Sequence, residues 1–204
     1  MPRRSTTTLP LVEPVVPERL DRAFDDPAWV FEPKYDGFRG LLYVTRRDCH
    51  FRSKRGNVLR RFQELCHLVR QELPVKEAIL DGEVVALDSE GRQDFRALLE
   101  GRGNIHYAAF DALWVSGRDL RGLPLTRRKR ALHRIVQATS TALSQVFSLE
   151  GRGCDMLRAA ERLDLEGIVA KRKADPYARD TVWYKIRNQA YTQAEGRWEL
   201  FRRP

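Results

Sequence analysis

Cysteine, histidine and long apolar runs are all scarce in this chain, and each shortage excludes something. Three cysteines in 204 residues (Cys49, Cys66, Cys154) are scattered and odd in number, which argues against a disulfide framework and against a zinc site. The four histidines (His50, His67, His106, His133) show no ligand spacing either. No apolar run approaches the ~18 residues needed to span a bilayer. The start Met1-Pro2-Arg3-Arg4-Ser5 is not followed by the hydrophobic segment of a signal peptide. The expectation is a cytoplasmic protein with no membrane partner. Lysine is the most telling shortage: of 37 basic residues only seven are lysines (34, 54, 76, 129, 171, 173, 185), leaving 30 arginines. Arginine serves wherever charge alone is needed, so the positions that keep lysine invite a chemical reason.

What is present suits one folded domain. An apolar fraction of 42% and 13 glycines belong to a globular chain, and 204 residues can bury one real core. A net charge of +9 points to a polyanionic partner, nucleic acid or nucleotide. Residues 1–12 are polar and proline-bounded and read as a disordered leader. A short helix is expected over Glu18 to Phe24, then strands over 29–32 and Phe38 to Thr45 flanking an Asp-Gly turn. Further strands are expected at Cys49 to Ser53, Ala78 to Leu87, Ile105 to Trp114, Glu166 to Lys171 and Val182 to Ile186. Helical spacing appears over Phe62 to Leu73, Leu125 to Ala138 and Asp155 to Leu163. The fold class is α+β, with antiparallel sheets and flanking helices.

The turn carries the chemistry. Lys34-Tyr35-Asp36-Gly37-Phe38-Arg39 places a lysine two residues before an acidic-Gly turn and five before an arginine. A lysine amine can attack phosphorus only after losing its proton, which neighbouring cations or desolvation would favour and Asp36 would oppose. Arginine cannot take that role, because its guanidinium stays protonated. Strand periodicity puts Asp81 and Glu83 on one face, suited to a divalent cation or a ribose hydroxyl. It also pairs Lys185 with Arg187, suited to phosphate oxygens. Phe110, in an apolar strand, offers an aromatic face for a purine.

Taken in order, K-x-D-G-x-R (34–39), D-G-E (81–83), F-D-A-L (110–113), E-G-I-V-A-K (166–171) and W-Y-K-I-R (183–187) resemble the serial motifs of the covalent nucleotidyltransferases, and specifically the adenylation domain of ATP-dependent DNA ligases. The match runs from Pro14 to Arg187. It implies the ATP-grasp-like nucleotidyltransferase fold of those ligases and a reaction in which Lys34 attacks the α-phosphorus of ATP, forms lysyl-AMP, and passes AMP to the 5′-phosphate of a DNA nick. By the same resemblance Glu32 helps recognise adenine, Arg39 lies near the ribose and the nick, Glu83 holds the ribose, and Phe110 stacks on adenine. Glu166, with Glu83, is the expected site for Mg²⁺ or Mn²⁺, and Lys185 and Arg187 are the paired cations at the α-phosphate.

The chain departs from the family pattern in three places. The usual S-R-x-G that grips the nick's 5′-phosphate reads Ser53-Lys54-Arg55-Gly56, so Lys54 or Arg55 must serve. The last motif ends in Arg187 where lysine is common. Such ligases also continue into an OB-fold domain, whereas here residues 191–204 read as a tail. The expected layout is a leader (1–12), an adenylation domain (13–190) and a tail with no OB domain, so that nicked double-stranded DNA would be held by the basic surface or by a partner protein supplying that domain. The other readings are an RNA ligase or capping-type nucleotidyltransferase, and a non-catalytic nucleic-acid-binding module. A bacterial nucleoid-associated setting in repair or recombination follows from the family alone.

Overall fold

The computed structural model describes residues 9–136 and 140–194. In chain order its elements are β1 (Glu18–Arg19), β2 (Trp29–Lys34), β3 (Phe38–Val44), β4 (Cys49–Arg52), a 3₁₀ turn (Arg60–Phe62) running into α1 (Gln63–Glu72), and β5 (Ala78–Leu87). There follow α2 (Phe95–Glu100), β6 (Asn104–Val115), β7 (Arg118–Asp119), α3 (Leu125–Ile135), β8 (Leu143–Gln145) and β9 (Leu149–Glu150). The last are α4 (Gly153–Arg162), β10 (Gly167–Arg172), β11 (Trp183–Arg187) and a 3₁₀ turn (Thr192–Ala194).

The strands form two sheets, one ordered β1-β11-β10-β2-β9 and the other β4-β3-β5-β6-β7, with β8 also pairing β6. Most pairs are antiparallel; β1 with β11 and β6 with β8 are parallel. Period-two alternation sends the two faces of each sheet to different cores. Leu42, Val44, Leu80, Val84 and Ala112 point to one side of the second sheet and pack with residues of α1, α2 and α3. Leu41, Tyr43, Ile79 and Leu113 point to the other side and meet Trp183 and Val169 of the first sheet. Phe31, Ile168, Ala170 and Ile186, on the far face of the first sheet, pack on Met156 and Ala160 of α4. The layers therefore run helices, sheet, sheet, helix. Among the described residues no helix is long and apolar enough to cross a membrane.

Three expectations change. The strands either side of the Asp-Gly turn do not pair as a hairpin: β2 lies in the first sheet and β3 in the second, so the turn carries the chain from one sheet to the other. The expected helix at Glu18 to Phe24 is instead edge strand β1, which satisfies the otherwise open side of β11 through Glu18↔Tyr184 and Arg19↔Lys185. Leu20 N–H extends the pairing to the Lys185 carbonyl at 3.0 Å, and Phe24 packs edge-on against Trp29 and Phe31. The segments expected as leader and tail also include packed residues. Leu9 and Val12 join the core between the sheets, and Tyr191 is buried with its hydroxyl 3.0 Å from Asp36 Oδ2. Residues 1–8 and 195–204 lie outside the described residues, as do 137–139, beyond the observed end of α3 at Ile135.

Candidate active site

Between the sheets a cleft opens, and strand register sets what reaches it. Lys34, at the end of β2, pairs with Gly167 of β10, which pairs with Arg187 of β11. Two residues along, Glu32 lies beside Val169, and Val169 beside Lys185. The first sheet thus contributes Glu32, Lys34, Lys171, Trp183 and Lys185 to the cleft wall; the second contributes Arg39, Glu83 and Phe110. Val16 and Pro17 close one side of the mouth and Lys54 borders it.

Two glycines allow the walls to come this close. A Cβ on Gly37 would lie 2.1 Å from the Val84 carbonyl oxygen of β5, and one on Gly167 would lie 2.1 Å from the Ile186 carbonyl oxygen. Gly167 also has φ +146, a backbone conformation that side chains disfavour. The glycine of K-x-D-G-x-R is therefore required by close approach of two backbones. Gly37→Ala should cost roughly 2–3 kcal/mol, as forced overpacking does, and lower the melting temperature by about 5–10 °C. A thermal melt indistinguishable from wild type would show that the turn can move aside.

Lys34 is about a quarter exposed and its Nζ is ion-paired with Glu166 Oε2. The carboxylate beside the lysine is thus Glu166, whereas Asp36, buried in the turn, receives Tyr191 from behind. Arg39 is held by Asp81 through a two-pronged pair, Nε to Oδ1 at 3.1 Å and Nη2 to Oδ2 at 2.7 Å. Asp81 is fully buried and also accepts from the Tyr177 hydroxyl at 2.7 Å. Its oxygens are committed, so the expected Asp81/Glu83 pair for a cation is reduced to Glu83. Burial pushes the Glu83 carboxyl up to about 8, with the charges of Asp81 and Glu166 adding to the shift and Lys34 and Arg39 opposing it.

The floor of the cleft is a buried charge cluster. Lys171 is 1% exposed; its Nζ lies 2.7 Å from Glu32 Oε2 and 4.0 Å from the ring centres of both Phe110 and Trp183. Burial pulls the Lys171 ammonium down to about 8, with Lys129 adding to the effect and Glu32 opposing it. Glu32 is also desolvated, yet its carboxyl falls below the usual range because Lys129 and Lys171 together outweigh burial. Lys129 sits against Glu32 Oε1 as a charge pair and donates to the Phe110 carbonyl at 3.2 Å. Glu32 Oε1 has no aligned hydrogen-bond donor. The Arg39 guanidinium lies 5.4 Å from the Phe110 ring centre, so cations crowd the aromatic platform.

Of the residues expected from the sequence, Glu32, Lys34, Arg39, Glu83, Phe110, Lys185 and Lys54 line one cleft, and Glu166 joins it through Lys34. Arg187, exposed at the end of β11, does not line the cleft but shares a cross-strand row with Gly167 and Lys34. Ser53 uses its hydroxyl to accept from the Arg55 and Asn57 amides at 3.3 and 3.2 Å, so it shapes the basic turn, leaving Lys54 and Arg55 exposed beyond it. The structure adds Lys171, Lys129, Trp183 and Tyr177, and turns Asp81 from a cation ligand into the anchor of Arg39. Lys171 and Trp183 end and begin quoted motifs, and lysine scarcity already marked Lys171 and Lys129; nothing local in the sequence marks Tyr177.

Among known families, the ATP dependent DNA ligase domain matches residues 13–187. The SPbeta prophage-derived DNA ligase-like protein LigB of Bacillus subtilis is 30% identical over 192 residues, covering 89% of this chain and 69% of that protein. The multifunctional non-homologous end joining protein LigD of Pseudomonas aeruginosa is 32% identical over 209 residues, covering 92% of this chain but only 24% of LigD. The solved ligase domain from M. tuberculosis LigD superposes with a TM-score of 0.72 at 28% identity, over 85% of this chain and 58% of that one. With the motifs, the two-sheet fold and the lysine at the cleft mouth all in agreement, the chain belongs to the ATP-dependent DNA ligase family and carries that family's adenylation fold.

Proposed function

We propose that this chain adenylates itself on Lys34 with ATP and passes the AMP to the 5′-phosphate of a DNA nick. The observation that carries the reading is Lys34 at the mouth of the cleft, facing a carboxylate acceptor, with Arg39 and Lys185 on the walls around it. The Lys34 nitrogen attacks the α-phosphorus, a P–N bond forms as the P–O bond to pyrophosphate breaks, and the lysine proton passes to Glu166, to which it is already donated. Lys185 and Arg39 stabilise charge on the nucleotide, which is where most of the rate enhancement of such a transfer arises. The purine stacks on Phe110 above Glu32, which Lys129 and Lys171 together keep ionised.

Glu83 and Glu166 are the residues that would hold a divalent cation. Among the described residues no group of three His, Cys, Asp or Glu is arranged for a metal. Two carboxylates that disfavour each other's charge nevertheless suit Mg²⁺ or Mn²⁺, which binds through one or two carboxylates together with substrate phosphates. Such an ion, when bound, supplies neutralisation of phosphate charge. The DNA backbone is met by Lys54 and Arg55. An OB-fold partner, or chain outside the matched region, completes the grip on the duplex, since the match covers only 24% of LigD.

The test is transfer of label. Supplied with α-labelled ATP and Mg²⁺, the protein should acquire label that survives denaturing electrophoresis and is released by acid, as a phosphoramidate requires. GTP and NAD should label it poorly. Added nicked duplex DNA should chase the label onto the 5′-phosphate, and a chase onto RNA ends alone would replace the DNA reading with the RNA-ligase one. Arg55→Ala, at an exposed position outside the cleft lining, should leave labelling within about twofold while slowing the chase several-fold, as loss of a phosphate contact does.

A further inference from the structure

Four segments distant in sequence meet beside Arg39 in a closed ring of hydrogen bonds. Arg39 donates to both oxygens of Asp81, and Tyr177 Oη donates to Asp81 Oδ2 at 2.7 Å. The Val15 amide donates to Tyr177 Oη at 3.3 Å, and the Val15 carbonyl accepts from Arg39 Nη1 at 2.5 Å, which closes the circuit. Asp81, Tyr177 and Val15 are all buried. The ring ties β3 and β5 of the second sheet to the β10–β11 connection of the first, with the segment before β1 threaded between. That segment is anchored a second time where the Val12 amide donates to Tyr43 Oη at 3.0 Å. It then continues through Val16 and Pro17 along the mouth of the cleft.

We infer that Tyr177 is a positioning residue for Arg39, and that residues 12–17 are a strap whose backbone fixes that arginine while forming one wall of the nucleotide cleft. A guanidinium held by Asp81 alone can still pivot about the carboxylate plane. The Val15 carbonyl on Nη1 removes that freedom, and Tyr177 sets where the Val15 peptide lies. Tyr177 is itself oriented from outside the ring, with its side chain edge-on to Trp183 at 5.7 Å and the Arg128 guanidinium 5.8 Å from its ring centre. The kinetic half of this inference rests on the adenylation reading above; the strap half does not.

Tyr177→Phe keeps the ring and removes only the hydroxyl. Amide hydrogen exchange over residues 12–17 should accelerate about tenfold, corresponding to loss of one buried hydrogen bond, with α4 unchanged. Single-turnover labelling at saturating ATP should slow by about tenfold, and the double variant Arg39→Ala with Tyr177→Phe should be no slower than Arg39→Ala alone, because the tyrosine acts through the arginine. Multiplying effects in the double variant would overturn the positioning role, and unchanged exchange would overturn the strap. If wild type takes no label, the proposed function falls and the exchange measurement alone decides the ring. Should Tyr177→Phe melt below the assay temperature, Tyr43→Phe, which releases only the Val12 anchor, should speed exchange over 12–17, and failure to do so counts against the strap.

Discussion

Lys34→Ala and Lys34→Arg should both remain unlabelled with α-labelled ATP, at least about four orders of magnitude below wild type, as expected when a covalent nucleophile is removed. The arginine variant is the sharper experiment. It keeps the positive charge at the end of β2 and can still pair with Glu166, so any role of Lys34 as a simple counter-ion for phosphate would survive in it. Nucleophilic attack would not, since a guanidinium does not give up its proton at accessible pH. Glu166→Gln supplies the complement. It keeps the side-chain shape but can neither take the lysine proton nor offer a carboxylate to the divalent cation, so labelling should slow by at least about 10²–10³-fold, the range associated with loss of a positioned base, without vanishing. Robust labelling of Lys34→Arg would place the covalent bond on another residue and end the mechanism proposed here.

The sequence reveals a strand when its side chains alternate, but not which sheet receives it. Ala78–Leu87 is legible to the residue because both of its faces are filled. The Asp-Gly turn looks like a hairpin for the same local reason that most such turns are hairpins; that it passes between two sheets depends on Val84, a residue 47 positions away that leaves no room for a side chain at Gly37. Phe95–Glu100 has its Asp94 cap, bonded to the Ala97 amide at 2.8 Å, and a left-handed Gly101 at its end. At six residues it is too short to show a periodicity. At the site, residues inside motifs were legible as participants, while their division of labour was not. D-G-E supplies two carboxylates on one face, yet Asp81 is committed to Arg39 because Arg39 and Asp81 come from neighbouring strands and meet only when β3 and β5 align. Tyr177 sits in an unremarkable polar loop, and its role appears only when that loop folds back over the strap.

Arg128→Met should destabilise the fold by about 3–5 kcal/mol. Arg128 and Asp111 are both fully buried and meet through two hydrogen bonds of 2.9 Å. The remaining guanidinium nitrogen, Nη1, donates to the Leu123 and Asp175 carbonyls at 2.6 and 2.9 Å. Even with its partner in place, burial holds the Asp111 carboxyl above its ordinary range. Removing the arginine leaves that charge without its hydrogen-bonded partner and the Leu123 carbonyl without its side-chain donor, while the Asp175 carbonyl keeps the Leu125 amide at 3.0 Å. Against a typical stability of about 5–15 kcal/mol, the melting temperature should fall by roughly 10–15 °C. The sign of the pH response identifies the cause. A carboxyl whose folded-state pKa is raised favours the folded state most below its unfolded pKa near 3.8 and loses that advantage as pH rises through the folded value. The variant should therefore be least destabilised toward acid and most at neutral pH and above. Replacing both partners, Asp111→Leu with Arg128→Met, should recover most of the loss, because no charge is then left buried. A double variant as unstable as the single one would show that the cost lies in the lost carbonyl contacts of the guanidinium. Either way the consequence reaches the cleft, because the next residue of α3, Lys129, carries the charge against Glu32 and the donor to the Phe110 carbonyl, so the Phe110 wall of the cleft stands on the anchor that Arg128 provides.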